Sequence, residues 1–200
     1  MSEKATCCSG LFPPGPADGP GKVCVHLACG KRYIPGWVHV DMDDHPHLDY
    51  RRPVDALPMF PNGYADLLYN SHQVAYYDRF QIRDVLQEWR RVLKPGGILR
   101  LSTPDFAKVV EIYLRDRDLS AHYGFLHGRY ETRSGPIYYR MVYDHSTLEA
   151  TLLRAGFRAV RRYDWRQTVH RDYDDYSQAY LPHMDAEHGA MMSLNVEALK

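Results

Sequence analysis

Read as apolar and polar positions, the chain from residue 23 onward alternates short β-branched runs with amphipathic stretches. VCVHLA (23–28), WVHVDM (37–42) and ADLLYN (65–70) have the pattern of buried strands, with a weaker extended piece near Tyr50 to Val54. From residue 80 to 93, Ile82, Val85, Leu86, Trp89 and Leu93 recur at helical spacing, and Arg83, Asp84, Gln87, Arg90 and Arg91 fill the other face. Lys94-Pro95-Gly96-Gly97 stops that helix, a basic residue meeting its negative end before Pro-Gly, and GILRLSTP (97–104) resumes a strand. A second helix is predicted over 105–117, with Phe106, Val109, Val110 and Tyr113 on one stripe. Ser146 opens a third through the capping-box pattern Ser146-x-x-Glu149, and Gly156 closes it. AVRRYDW (159–165) and MMSLNVEAL (191–199) read as the last strands, separated by a long polar loop, 166–190. Residues 118–144 show no period and are rich in Tyr, His, Gly and Arg.

Strands alternating with helices predict an α/β fold around a mainly parallel sheet, in one domain over residues 22–200. Residues 1–21 contain LFPPGPADGPG, whose prolines and glycines preclude regular structure, and a flexible arm is expected there. The first crossover is short. Only eight residues separate Ala28 from Trp37, whereas a parallel crossover usually takes about a dozen or more. Either the first helix shrinks to about one turn, or the two strands are not neighbours.

Composition narrows the class. The 200 residues are 44% apolar and 25% charged, with zero formal net charge, which argues against a nucleic-acid binder. No apolar run approaches the roughly 18 residues of a membrane span. The N-terminal MSEKATCCSG lacks an apolar core after a basic start, so a cytoplasmic protein is expected. Cys7, Cys8, Cys24 and Cys29 make neither a disulfide framework nor a zinc spacing. In DMDDHPHLDY (41–50), His45 and His47 beside several acids read as a solvated loop, so no metal is expected. His183, His188 and the run Asp172, Asp174 and Asp175 are expected in solvent.

In parallel sheets ligands sit at the carboxyl ends of strands, near the point where strand order reverses. The first strand is followed by Ala28-Cys29-Gly30, where a missing side chain lets a ligand approach the backbone. The second ends at Asp41-Met42, a carboxylate suited to both hydroxyls of a ribose. Asp55-Ala56-Leu57 follows the third, an acid for an exocyclic adenine amine with Leu57 against the ring. The fourth ends at Asn70-Ser71-His72, polar groups for the ends of an amino acid. Together these positions describe a nucleoside carrying an amino acid. A dinucleotide site fits less well, because it wants G-x-G-x-x-G opening a helix and only one of those glycines is present.

HLACGKRYIPGWVHVD, ALPMFPNGYADLLYNSH, EWRRVLKPGGILRLSTPDF and LLRAGF, in this order, resemble the seven-stranded S-adenosylmethionine-dependent methyltransferases. That resemblance runs from about residue 23 to the C-terminus. It implies a Rossmann-like sheet of seven strands flanked by helices, a shortened first helix, S-adenosylmethionine as cofactor, and a cofactor site lined by Gly30 and its neighbours, Asp41, Asp55 and Asn70. Where the branch has a second histidine, this chain has Tyr76. His72, His122, His127 and His145 are candidate bases, with His72 at the fourth strand's end. Residues 118–144 are expected to cap the acceptor. Tyr76, Tyr123, Tyr130, Tyr138 and Tyr139 would offer flat faces, and Arg129, Arg133 and Arg140 would hold an anionic group. The acceptor expected is a small molecule: a sugar, a glycan precursor or a secondary metabolite. A homodimer is the assembly expected. The changed SHQVAY motif leaves a cofactor-binding partner protein that transfers nothing as the alternative, and a nicotinamide oxidoreductase as a further one.

Overall fold

The computed structural model describes residues 11–132, 135–173 and 175–200. Cys7, Cys8, Arg133 and Asp174 lie outside the described residues. Strand β1 (Cys24–Leu27), β2 (Val38–Asp41), β3 (Tyr50–Arg51) and β4 (Ala65–Ser71) fall where the apolar runs predict them. Helix α1 (Ile82–Val92) leads into β5 (Leu93–Pro104), and α2 (Phe106–Asp116) follows. Then come α3 (Tyr123–His127), β6 (Arg129–Thr132), β7 (Gly135–Tyr138), α4 (His145–Arg154) and β8 (Ala159–Arg162). The chain finishes with β9 (Tyr180–Leu181), β10 (Ala190–Met191) and β11 (Ser193–Leu199). The main sheet has seven strands in the order β3-β2-β1-β4-β5-β11-β8, with β11 antiparallel to both its neighbours. Strand order reverses between β1 and β4. Among the described residues, no helix is long and apolar enough to cross a membrane.

The two sheet faces follow from strand alternation. Val25, Leu27, Leu68 and Leu99 face α1 and α4, joining Val85, Leu86, Trp89, Leu148 and Leu152 in the main core. The opposite face, with Cys24, Leu67, Tyr69 and Ile98, packs against Phe12, Ile34 and Trp37 instead of a helix. β1 and β2 are indeed parallel neighbours, Val25 opposite Val38, yet residues 28–37 contain turns and no helix at all. The crossover is therefore shorter than the one-turn helix expected, and a Trp and an Ile side chain cover the face a helix would cover.

Other expectations are corrected. Residues 11–21 hold no strand or α-helix, but they are packed and not an unattached arm: Phe12 and Asp18 are buried. Asp18 accepts from Arg100 Nη1 at 2.6 Å and from the Val169 N–H at 3.1 Å, and the Arg161 guanidinium lies 4.0 Å over the Phe12 ring. Lys94-Pro95-Gly96-Gly97 is no turn between elements; it starts β5. A bulge absorbs it, Ala65 pairing with Leu93 and Leu67 with Ile98. A side chain on Gly97 would meet the Lys94, Ala65 and Asp66 carbonyls. Helix α4 is capped by Asp144, not Ser146: the Asp144 carboxylate accepts from Thr147 N–H at 2.8 Å, and Thr147 Oγ1 accepts from Asp144 N–H at 3.1 Å. On α2 only Val109 and Ile112 are buried, while Phe106 and Val110 lie exposed.

Arg100, Glu197 and Arg161 sit opposite one another on β5, β11 and β8, and their register makes a cross-strand trio in which Arg100 and Glu197 are buried and Arg161 is half-buried. Arg100 donates Nε and Nη2 to Glu197 Oε1 at 3.0 and 2.8 Å, and Arg161 donates to Oε2 at 2.9 and 2.7 Å. Removing Glu197 leaves the buried Arg100 guanidinium with Asp18 alone and two of its donors unpaired, so Glu197→Ala should cost roughly 3–5 kcal/mol of unfolding free energy. Urea denaturation beside Glu187→Ala, on the surface, checks this; the surface change should cost under about 0.5 kcal/mol.

Candidate active site

A cavity of about 650 Å³ opens at the carboxyl ends of β1, β2 and β4, where strand order reverses. Its floor is Ala28, Cys29, Gly30, Asp41, Met42, Asp55, Ser71 and His72, all expected from the sequence. The hairpin β6–β7 covers it with Tyr130, Ile137, Tyr138, Tyr139 and Arg140, and Tyr76 closes one side. Among the described residues of 118–144, only Tyr130 and residues 136–140 line the cavity, on and just after a strand pair where the sequence predicts irregular chain.

The first loop is held by one carboxylate. Asp41 accepts from the Gly30 N–H through Oδ2 and from the Asp43 N–H through Oδ1, each at 2.8 Å. Gly30 adopts φ +55°, where glycine alone is unstrained, and a Cβ there would project into open space. Ala28 and His72, which directly follow β1 and β4, also have positive φ, +54° and +59°. Such non-glycine conformations cost on the order of 1–3 kcal/mol each and concentrate at functional sites.

His72 is buried, with its N–H on the Ser102 carbonyl at 2.8 Å and its ring stacked on Tyr176, centroids 5.2 Å apart. Ring Nε2 lies 3.1 Å from Ser193 Oγ and Nδ1 lies 3.4 Å from the Tyr139 hydroxyl. Burial pushes the imidazole down to about 3, so it is neutral near pH 7. The Tyr76 and Tyr77 phenols are raised to about 12, again by burial. Tyr139 is raised too; its ring sits against Gly128, where no side chain would fit, and its N–H donates to the His127 carbonyl at 2.6 Å. The Tyr130 hydroxyl donates to Asp43 Oδ2 at 2.7 Å, fastening the hairpin to the loop after β2.

Several predicted residues lie elsewhere. His122 is fully buried beside α3, with both ring nitrogens unpartnered, and His127 and Tyr123 are exposed; none lines the cavity. α3 packs Phe125 and Leu126 beside Val109 and Ile112 of α2, which turns its polar residues away. Arg129 is exposed and paired with Glu131 at 2.5 Å, and His145 faces Glu149 on α4. Leu57 is fully buried in the main core, Ala56 is exposed, and neither lines the cavity; Pro53 and Val54 line it beside Asp55 instead. Asn70 lies beneath the floor, donating Nδ2 to the Leu27 carbonyl at 3.0 Å.

The late loop carries what sequence reasoning missed. Asp175, expected in solvent, is buried at the cavity wall, accepting from the Tyr69 hydroxyl at 2.6 Å and the Ser177 N–H at 2.7 Å. Burial raises its pKa. The Asp-x-Ser turn was its one local signal; its partner Tyr69 is 106 residues away. His183 and His188 are exposed, as expected. Among the described residues, no group of three or more His, Cys, Asp or Glu could hold a metal ion.

Orphaned polar atoms test what the cavity suits. Asn70 Oδ1 and Ser71 Oγ, at the end of β4, are buried without a partner. They sit across from Asp41, which leaves room for a ligand polar at both ends. Residues 21–101 match the model of a methyltransferase domain. No curated protein matches the chain. Solved structures share the fold over nearly its whole length. An S-adenosylmethionine-dependent methyltransferase from Mesorhizobium loti is 18% identical, TM-score 0.53, covering 96% of this chain and 95% of that one. The 1,6-didemethyltoxoflavin-N1-methyltransferase of Burkholderia thailandensis, bound to 1,6-didemethyltoxoflavin and S-adenosylhomocysteine, is 13% identical, TM-score 0.53, covering 90% and 71%. A methyltransferase from Archaeoglobus fulgidus is 14% identical, TM-score 0.52, covering 90% and 86%.

Buried histidines make stability depend on pH. His170 is fully buried, stacked on Tyr69 at 4.2 Å, with neither ring nitrogen hydrogen-bonded and Nδ1 3.7 Å from Asp175 Oδ2, and burial lowers it to about 3; His26 is lowered as well. A depressed folded pKa gives stability that is full above the unfolded value near 6.5 and is lost as pH falls toward about 3. Thermal unfolding temperature should therefore drop between pH 7 and 4, and drop less in His170→Phe; an equal drop in both would exclude His170 as a contributor. Residues 21–101 thus match a methyltransferase domain, and the seven-stranded sheet with its polar-ended cavity at the switch point has the fold of the class I S-adenosylmethionine-dependent methyltransferases.

Proposed function

We propose that the chain is an S-adenosylmethionine-dependent methyltransferase that acts on a small-molecule acceptor held between the strand ends and the tyrosine-lined hairpin. The observation that carries this reading is that one cavity joins both. Its 650 Å³ is of the size that takes small ligands, roughly 300–1,000 Å³. Asp41 would take the ribose hydroxyls, because each of its oxygens keeps a lone pair after its backbone contact. Asp55 would accept from the adenine amine, with Met42 and Val54 beside the ring. Gly30, Ser71 and the Asn70 beneath would meet the amino-acid end.

The bound cofactor supplies an activated methyl group, with a good leaving group already on it. The chain's own residues align the acceptor and exclude water, which can contribute several kcal/mol. Tyr76, Tyr138 and Tyr139 offer flat apolar walls with hydroxyl handles, and Arg140, held by Gln81 at 3.2 Å, offers a cation at the mouth. The similar Burkholderia fold holds 1,6-didemethyltoxoflavin together with S-adenosylhomocysteine, an analogy that favours a small acceptor without naming this one.

Asp41→Ala should weaken S-adenosylhomocysteine binding by about tenfold or more, the weight of a charged hydrogen bond of roughly 1.5–3 kcal/mol. Asp44→Ala, paired with Arg51 outside the cavity, should leave it unchanged. Calorimetry on both decides: equal losses would displace the ribose from Asp41. Methyl transfer followed by mass spectrometry across small hydroxylated and amine acceptors, a protein extract and an RNA pool tests the acceptor class. Product only on macromolecules would overturn it.

A further inference from the structure

We infer that the acceptor atom is a hydroxyl oxygen whose proton reaches His72 through the Tyr139 hydroxyl, and that Ser193 fixes the histidine tautomer that allows it. The inference rests on the placement of the acceptor just proposed. It starts from one hydroxyl. Ser193, at the start of β11, donates to the Tyr176 carbonyl in a short hydrogen bond. A serine has a single proton to give. Its Oγ, 3.1 Å from His72 Nε2, can then only accept, so Nε2 carries the imidazole proton. A neutral imidazole has one N–H, which leaves Nδ1 bare and facing Tyr139.

The rest of the geometry keeps the ring in that state. His72 is stacked on Tyr176, and its backbone is tied to Ser102 with φ +59°. The Tyr139 hydroxyl stands 3.4 Å from Nδ1, longer than a formed O–H···N bond. Catalytic contacts commonly tighten only when substrate binds. Tyr139 also shares a hydrogen bond with Tyr76, the position where the resembling branch has a histidine, and their rings lie 4.7 Å apart. Tyr76 and Tyr139 face His72 from the cap, Tyr176 from the late loop and Ser193 from β11. Asp175, Arg32, which lies 5.5 Å over the Tyr176 ring, Arg140, Asp41 and Asp55 are the charges lining the same cavity.

The step balances as follows. The acceptor oxygen forms its bond to the methyl carbon as the carbon–sulfur bond breaks, with that pair staying on sulfur. The acceptor proton moves to the Tyr139 oxygen while the Tyr139 proton moves to Nδ1. His72 ends as imidazolium and releases its proton to water after the product leaves. Burial disfavours that cation, but the same step consumes the positive charge of the methyl donor, so the net charge of the cavity is unchanged. A neutral amine acceptor would need none of this, because it attacks before losing a proton.

The test reads the tautomer first. Nitrogen-15 NMR of the whole protein at pH 7 should show His72 protonated at Nε2 and bare at Nδ1. In Ser193→Ala the Nε2–H population should fall, and in Ser193→Thr it should return. A wild-type ring protonated at Nδ1, or a Ser193→Ala spectrum like wild type, overturns the assignment. Turnover is then measured on a panel of paired phenols and anilines. We expect methylated phenols, with Tyr139→Phe and His72→Asn each losing about 10²-fold in kcat, the scale of a general base, while S-adenosylhomocysteine affinity holds. Asparagine tolerates the positive φ at residue 72. Methylation of anilines alone, or full phenol turnover in Tyr139→Phe, overturns the relay and leaves the acceptor site standing. Loss of S-adenosylhomocysteine binding in the wild type would instead sink the site itself.

Discussion

The Asp41 carboxylate is the contact on which the site depends. A first crossover without a helix has no helical hydrogen bonds to set its path, so something else must fix the turn after β1. Asp41 does so by taking the Gly30 and Asp43 amides, one on each oxygen. The loops after β1 and β2 are thereby joined at the floor of the cavity. Asp43, placed in this way, receives the Tyr130 hydroxyl, so the same carboxylate indirectly seats the cap. One acid organises floor and lid, and its remaining lone pairs are the ones proposed to meet the ribose.

The missing helix has a second consequence. The sheet face it would cover must be sealed by other means, and the chain recruits both its ends. Phe12 and Asp18 come from before β1, and the buried His170 and Asp175 come from the late loop. Packing here feeds chemistry directly. The loop that seals this face also presents the Tyr176 ring to His72 and the Tyr176 carbonyl to Ser193. A substitution that loosens the loop should therefore act on turnover as well as on stability.

What was legible in the sequence was what neighbouring residues decide. Apolar runs located β1, β2 and β4, and helical spacing located α1, because burial on one face leaves a period in the chain. Gly30, Asp41, Asp55, Ser71 and His72 could be picked out because a strand end fixes where the next residue goes. Illegible features depend on distant partners. Asp18 looks like one acid in a proline-rich stretch until Arg100, 82 residues on, is brought to it. Asp175 looks solvated until Tyr69 arrives. Leu57 follows a plausible adenine contact, yet its apolar side chain gains more from the core. His122 and His127 had suitable chemistry, but the packing of α3 on α2 turned them from the cavity.

The central claim is that S-adenosylmethionine lies along the strand ends with its sulfur turned toward His72 and the tyrosine cap. A crystal structure of the protein with S-adenosylhomocysteine tests it most directly. The account predicts ribose hydroxyls on Asp41, the adenine beside Asp55 and Val54, and the thioether facing the space between Tyr139 and Tyr176. A cofactor that leaves Asp41 untouched, or that turns its sulfur away from the cap, would contradict it.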